Sequence, residues 1–203
     1  MTKPFALAVF AGAALISVAA PALAQVSTDP SSVQAGTYAL ESNHARVVFS
    51  VSHMGFSTWY GDFSKPTGSL TIDPKAPAAA KLDVTIPVAS VSTTNATLDG
   101  ELKSAAWFDA TTYPTITFHS TSVAPTGANT AKVTGDLTFH GVTKPVTLDV
   151  TFKGSGTNMM SKAFTIGFDA KATLKRSDFG VKTYVPMIGD TVDLLISAPF
   201  EKK

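Results

Sequence analysis

Apolar residues return at every second position along most of this chain, and that period leaves few folds open to it. Val47, Phe49 and Val51 alternate with Val48, Ser50 and Ser52; Leu82, Val84, Ile86 and Val88 with Asp83, Thr85 and Pro87; Val146, Leu148, Val150 and Phe152 with Thr147, Asp149 and Thr151. Successive side chains of an extended chain point to opposite faces, so each segment is a strand with one apolar face. The same period recurs around Ile116 and Phe118, Leu137 and Phe139, Phe164 to Phe168 and Val192 to Ile196, with Gly, Pro, Asn and Asp clusters between them. Seven or eight antiparallel strands are predicted. One stretch departs from the pattern. Ala96 to Phe108 is rich in helix formers, with Asn95 or Thr97 as a cap and Pro114 beyond its end, and it predicts a short helical insertion. Many strands without crossover helices make a sandwich or a closed barrel, and the chain is long for an immunoglobulin-like sandwich of about 100 residues. The expected fold is an all-β antiparallel barrel of about eight strands.

Residues 1–24 lie outside this pattern. Lys3 gives a positive head, Phe5 to Ala20 is almost wholly apolar, and Pro21 to Ala24 ends in an A-x-A exit, which predicts a cleaved secretory signal too short to span a bilayer comfortably. Its removal takes one lysine and no acid, bringing the 16 basic and 15 acidic residues into balance. A neutral chain with scattered lysines has neither the basic stripe of a nucleic-acid binder nor the basic face of a surface-bound membrane protein. The absence of cysteine excludes a disulfide framework, a thiolate nucleophile and a cysteine-based zinc site. Residues 25–36 (QVSTDPSSVQAG) show no apolar period and read as a flexible leader, and residues 37–203 as one domain.

The faces expected to turn inward carry Phe49, Val51, Leu70, Ile72, Val84, Ile86, Phe118, Leu137, Phe139, Phe168, Leu194 and Ile196, and no carboxylate. A barrel of about eight strands either fills its interior with side chains or holds one small ligand. The residues themselves leave both open, a packed core being the commoner use of an apolar face. Trp107 and Phe108 close the insertion, either as a plug or as an entrance. His53 shares the alternation of Phe49 and Val51, so its ring is expected inward near the strand end, as a ligand donor or a satisfied core histidine. Arg46 and Arg176 have the geometry to meet a phosphate, Asp178 being the local acid that would compete for Arg176. Trp59 and Tyr60 are either an exposed pair that touches a membrane or strand aromatics packed on a neighbour. Chemistry of other kinds finds no support. His44, His53, His119 and His140 lie on separate segments, no serine sits in a G-x-S-x-G elbow, and Asp99 and Glu101 are spaced to face apart on a helix, so no catalytic or metal-binding residue is expected.

Five segments carry a resemblance. His53 to Phe63 (HMGFSTWYGDF), Asp99 to Leu102 leading into Trp107-Phe108-Asp109, Tyr113 to Phe118 (YPTITF), Gly135 to Thr138 with Gly141 to Lys144, and Arg176 to Gly180 (RSDFG) follow the order and spacing of the YceI family, which the chain resembles from about Tyr38 to Phe200. The resemblance implies a lipocalin-like barrel in the periplasm that carries a polyisoprenoid, either an isoprenoid quinone or a polyprenyl phosphate, with no covalent cofactor. The expected ligand contacts are then Phe49, Val51, His53, Leu70, Val84, Ile86, Trp107, Phe108, Phe118, Leu137, Phe139, Phe168 and Ile196, with Arg46, His53 and Arg176 as head-group candidates. Expected partners are the lipid, a membrane or membrane protein met in passing, and a second copy covering an apolar mouth; nucleic acid and stable membrane insertion are not expected. Two alternatives stand beside the carrier. A lipid-modifying enzyme would need a titratable pair with His53 at an open cavity, and a protein-binding module would have a filled core.

Overall fold

The alternating segments do become strands, and long ones. The computed structural model describes residues 26–203, so the expected signal segment lies outside the described residues. In chain order the elements are β1 (Gly36–Leu40), β2 (Arg46–His53), β3 (Ser57–Phe63), β4 (Thr67–Ile72), β5 (Lys81–Pro87), β6 (Val91–Ser92), α1 (Ala96–Lys103), β7 (Thr115–Pro125), β8 (Thr130–Phe139), β9 (Val142–Thr157), β10 (Phe164–Lys175) and β11 (Ile188–Lys202). All pairings are antiparallel. β11 pairs with β2 from Ile188 to Ser197 and then with β1, where Leu40 faces Phe200. β3 follows β2 and β4 follows β1 as neighbours, so β1 and β2 are two halves of one broken strand, as are β3 and β4, and β5 and β6. Counted this way, eight strands close into a lipocalin-like antiparallel barrel.

The breaks have local causes. Lys65 is held at a φ of 55° before Pro66, and Pro87 opens a single 3-10 turn over Val88–Ser90. Proline cannot donate to a ladder, so the pairing stops at each. The predicted helix is present but shorter than expected. Asn95 caps it by accepting the N–H groups of Thr97 (3.1 Å) and Leu98 (3.2 Å), and it ends at Lys103 rather than running to Phe108. There the chain doubles back, Phe108 N–H donating to the Leu102 carbonyl and Asp109 N–H to that of Ser104, which swings Trp107 and Phe108 into the barrel end.

Residues 26–36, the described part of the stretch expected as a flexible leader, make local contacts in the form of a strap: Ser27 exchanges two backbone hydrogen bonds of 2.8 Å with Ser155, residues Pro30–Ser32 form a 3-10 turn capped by Asp29, and Val33 is buried. The cause lies in β9, which outruns β8. Its pairing with β8 stops at Thr151, leaving a free edge that the strap takes up before crossing to β1. A segment held by one bridge and one buried valine has no period to read.

Candidate ligand-binding site

The barrel interior is a cavity of about 470 Å³, within the ordinary range for a small-molecule site. At one end it is closed by the buried Leu102, Trp107 and Phe108 from α1 and the turn after it. A run of rings backs this plug: Phe49 to Phe63 at 5.6 Å, Phe63 to Phe108 at 5.9 Å, Phe108 to Phe139 at 5.4 Å and Phe139 to Phe179 at 5.9 Å between centroids. At the other end the lining passes into exposed residues, Pro77 between β4 and β5 and Pro125 and Ala128 at the β7–β8 turn, with Pro30 and Val33 of the strap alongside. That end is the mouth.

Of the sequence-predicted contacts, Phe49, Val51, Leu70, Val84, Ile86, Trp107, Phe108, Phe118, Leu137, Phe139, Phe168 and Ile196 all line the cavity. His53 does not. β2 overshoots the cavity by one inward position beyond Val51, so His53 lies against Trp59, ring centroids 5.9 Å apart, rather than beside an acid. Trp59 correspondingly is not part of an exposed pair: its indole Nε1 is buried without a partner, and only Tyr60 faces out. Residues missing from the expected contacts include Val146, Leu148, Val150 and Phe152 of β9 and Ala170 of β10. The β9 four carry a plain alternation and were findable; Pro74 and Pro77 at the mouth sit between β4 and β5, where no period exists, and Pro125 is the last residue of β7.

Among the described residues the lining holds no aspartate, glutamate or histidine, and its two charged members are arginines. Arg46 borders the cavity at the break between β1 and β2, where its Nη1 lies 3.4 Å from Asp62 Oδ2 across the β2–β3 pair. Arg176 is buried beneath the plug, 5% exposed, and donates to four backbone carbonyls: Nε to Gly189 (2.8 Å), Nη1 to Val181 (3.0 Å), and Nη2 to Thr183 (2.9 Å) and Ile188 (2.8 Å). Its guanidinium carbon also sits 5.4 Å from the Trp107 ring centroid, within cation–π reach. The expected pairing with Asp178 is not made. Burial pulls the Arg176 guanidinium below its usual pKa, and the nearby charge of Asp190 opposes that pull. Burial would raise Asp190, yet the Ser177 N–H (2.9 Å) and hydroxyl (2.8 Å), with Arg176 and Lys175, hold it below the usual carboxylate range. Asp99 and Glu101 are equally occupied: Asp99 accepts the Thr93 N–H and hydroxyl, and Glu101 accepts the Trp107 indole N–H at 3.1 Å. The site can take up apolar surface, and its residues offer no acid–base pair to a substrate inside it.

Known proteins are similar to this chain in sequence and fold. A model described as a YceI-like domain matches residues 38–200. Protein YceI of Shigella flexneri is 43% identical over 157 residues, covering 77% of this chain and 81% of that protein. A UPF0312 protein of Pseudomonas savastanoi is 39% identical over 183 residues, covering 89% and 94%. The crystal structure of Burkholderia cenocepacia BcnA superposes with a TM-score of 0.72 at 30% identity, over 79% of this chain and 98% of that one. A polyisoprenoid binding domain from Saccharophagus degradans shares the fold at a TM-score of 0.64 and 16% identity, covering 82% and 98%.

Proposed function

This chain belongs to the YceI-like family, and from that premise we propose that it is a carrier which holds one polyisoprenoid chain, of an isoprenoid quinone or a polyprenyl phosphate, in its barrel, and not an enzyme. The observation that carries the reading is the cavity itself: about 470 Å³ walled by aliphatic and aromatic side chains, closed at the α1 end and reached through the strap end. A packed core would leave no such space. Each 100 Å² of apolar ligand surface removed from water contributes about 2.5 kcal/mol before the losses of binding are subtracted, so a long hydrocarbon suits this wall better than a compact polar molecule. The lining's lack of carboxylates and the place of His53 outside the cavity speak against lipid-modifying chemistry in the lumen. The fold is shared with a domain described as polyisoprenoid binding. Residues 1–24, read as a cleaved signal, support delivery to the periplasm.

Native mass spectrometry with lipid extraction, on protein purified without detergent, tests the proposal. Near-stoichiometric isoprenoid is expected on the wild type and much less on Ala170→Phe, which places a ring in the lumen. Wild-type protein that is empty, and that takes up no polyprenyl compound on incubation, would refute the carrier.

A further inference from the structure

At the end opposite the mouth, two loops hold large apolar side chains in solvent. The β2–β3 turn exposes Met54 (52%) and Phe56 (88%); the segment before β11 exposes Tyr184 (54%), Val185 and Met187 (56%). The loops are one surface, since Met54 N–H donates to the Met187 carbonyl at 2.7 Å. Single exposed apolar residues are ordinary, but five on two bonded loops make a patch of the kind that marks a contact surface.

The backbone shows that these side chains are held out against local preference. The β2–β3 turn closes with Phe56 N–H on the His53 carbonyl at 3.1 Å and has positive φ at both central residues, 54° at Met54 and 72° at Gly55. Such a turn favours Asn or Asp before Gly, because a left-handed backbone crowds a larger side chain. Methionine stands there instead. Tyr184 is left-handed as well, at 59°, its ring set edge-on to Trp107 at 6.0 Å. Two strained apolar residues thus project from one patch, and strain of this kind collects at working surfaces.

Apolar area and a lone cation select the partner. From His53 to Phe56 and from Val181 to Met187 the loops carry no carboxylate, one lysine (Lys182) and one histidine. The chain has no broad basic face to hold it on a membrane by charge, so we propose that this patch docks on an anionic lipid bilayer chiefly through its apolar side chains: Phe56, Met54, Tyr184 and Met187 enter the interfacial layer and Lys182 meets the lipid phosphates. Docking by this end leaves the mouth free. The inference goes beyond the carrier reading and does not depend on it.

Co-sedimentation with phosphatidylglycerol–phosphatidylethanolamine vesicles tests it, with uptake of a polyprenyl compound measured in parallel. The wild type is expected to bind these vesicles more tightly than phosphatidylcholine vesicles, and Phe56→Ser with Met187→Ser to bind about tenfold more weakly or worse, since those side chains no longer leave water. Lys182→Glu should remove the preference for phosphatidylglycerol. Met54→Asn separates docking from folding: it suits the turn, so the melting temperature should hold or rise while vesicle binding falls. Lumen uptake should be the same in every variant. Wild-type protein that stays in the supernatant overturns the proposal, as does Phe56→Ser converting a dimer to a monomer with vesicle binding unchanged, which would assign the patch to a second copy of the chain.

Discussion

Arg176 shows how much one buried side chain can organise. Its four donated hydrogen bonds tie the loop carbonyls of Val181 and Thr183 and the β11 carbonyls of Ile188 and Gly189 to the floor of the cavity, and the ring of Trp107 lies over it. Replacing it with methionine keeps bulk and strips four carbonyls of a charged donor. The expected loss is about 3–5 kcal/mol, the range for breaking a buried charged network by removing one partner. Arg176→Lys should recover part of this, because an ammonium on a flexible stem cannot span four acceptors laid out for a planar fork. Urea denaturation measures both; a loss below about 1 kcal/mol for Arg176→Met would show that the carbonyls find water instead. The sequence marks Arg176 as a residue of consequence but points to the wrong partner. A side-chain acid such as Asp178 is visible in a sequence, whereas a backbone carbonyl has no residue type and becomes a partner only through the turn that aims it.

Among the elements, the strands were legible and their interruptions were not. Period-2 alternation follows from which face is buried, so Val146 to Phe152 or Val192 to Ile196 declare themselves. The break at Ser64 to Pro66 depends on where the barrel must bend, and the same local residues would serve in an ordinary turn. The strap is the extreme case, being set by the length of β9 rather than by its own composition. Gly154 bears on it directly: a Cβ there would fall 2.5 Å from Val26 Cγ1 and 3.1 Å from the Ser27 carbonyl. Gly154→Val is therefore expected to lift the strap while the eight strands remain paired. Hydrogen exchange should speed up at the Ser27 and Ser155 amides with a melting temperature close to that of the wild type, and lipid exchange through the mouth should quicken. Unchanged exchange at those two amides would mean that Val26 simply moves aside.

For the whole molecule, the charged groups define a broad range of stability. Glu41 and Asp190 are each pushed up by partial burial but held lower overall by N–H and hydroxyl donors and nearby cations, and Asp29 is lowered by the Ser31 N–H. A carboxylate with a lowered folded pKa contributes stability that is present above its unfolded value, near 4, and disappears as pH falls through the folded one. Burial raises Tyr38, whose contribution is complete below about pH 10 and is lost as pH climbs through its folded value. The urea midpoint should accordingly stay level from about pH 5 to 9 and fall on both sides, more steeply in acid. A midpoint that drifts between pH 6 and 7 would point to a group outside this set. The ring of strands also has a direction in time. β11, the last of the eight to be synthesised, is the one that seals the ring against β1, the first, with Phe200 meeting Leu40. No partial product of the ribosome can hold the closed shape, however long it waits: every earlier strand must stay unsealed until the final one arrives, and folding becomes a single late event that joins residues from opposite ends of the sequence.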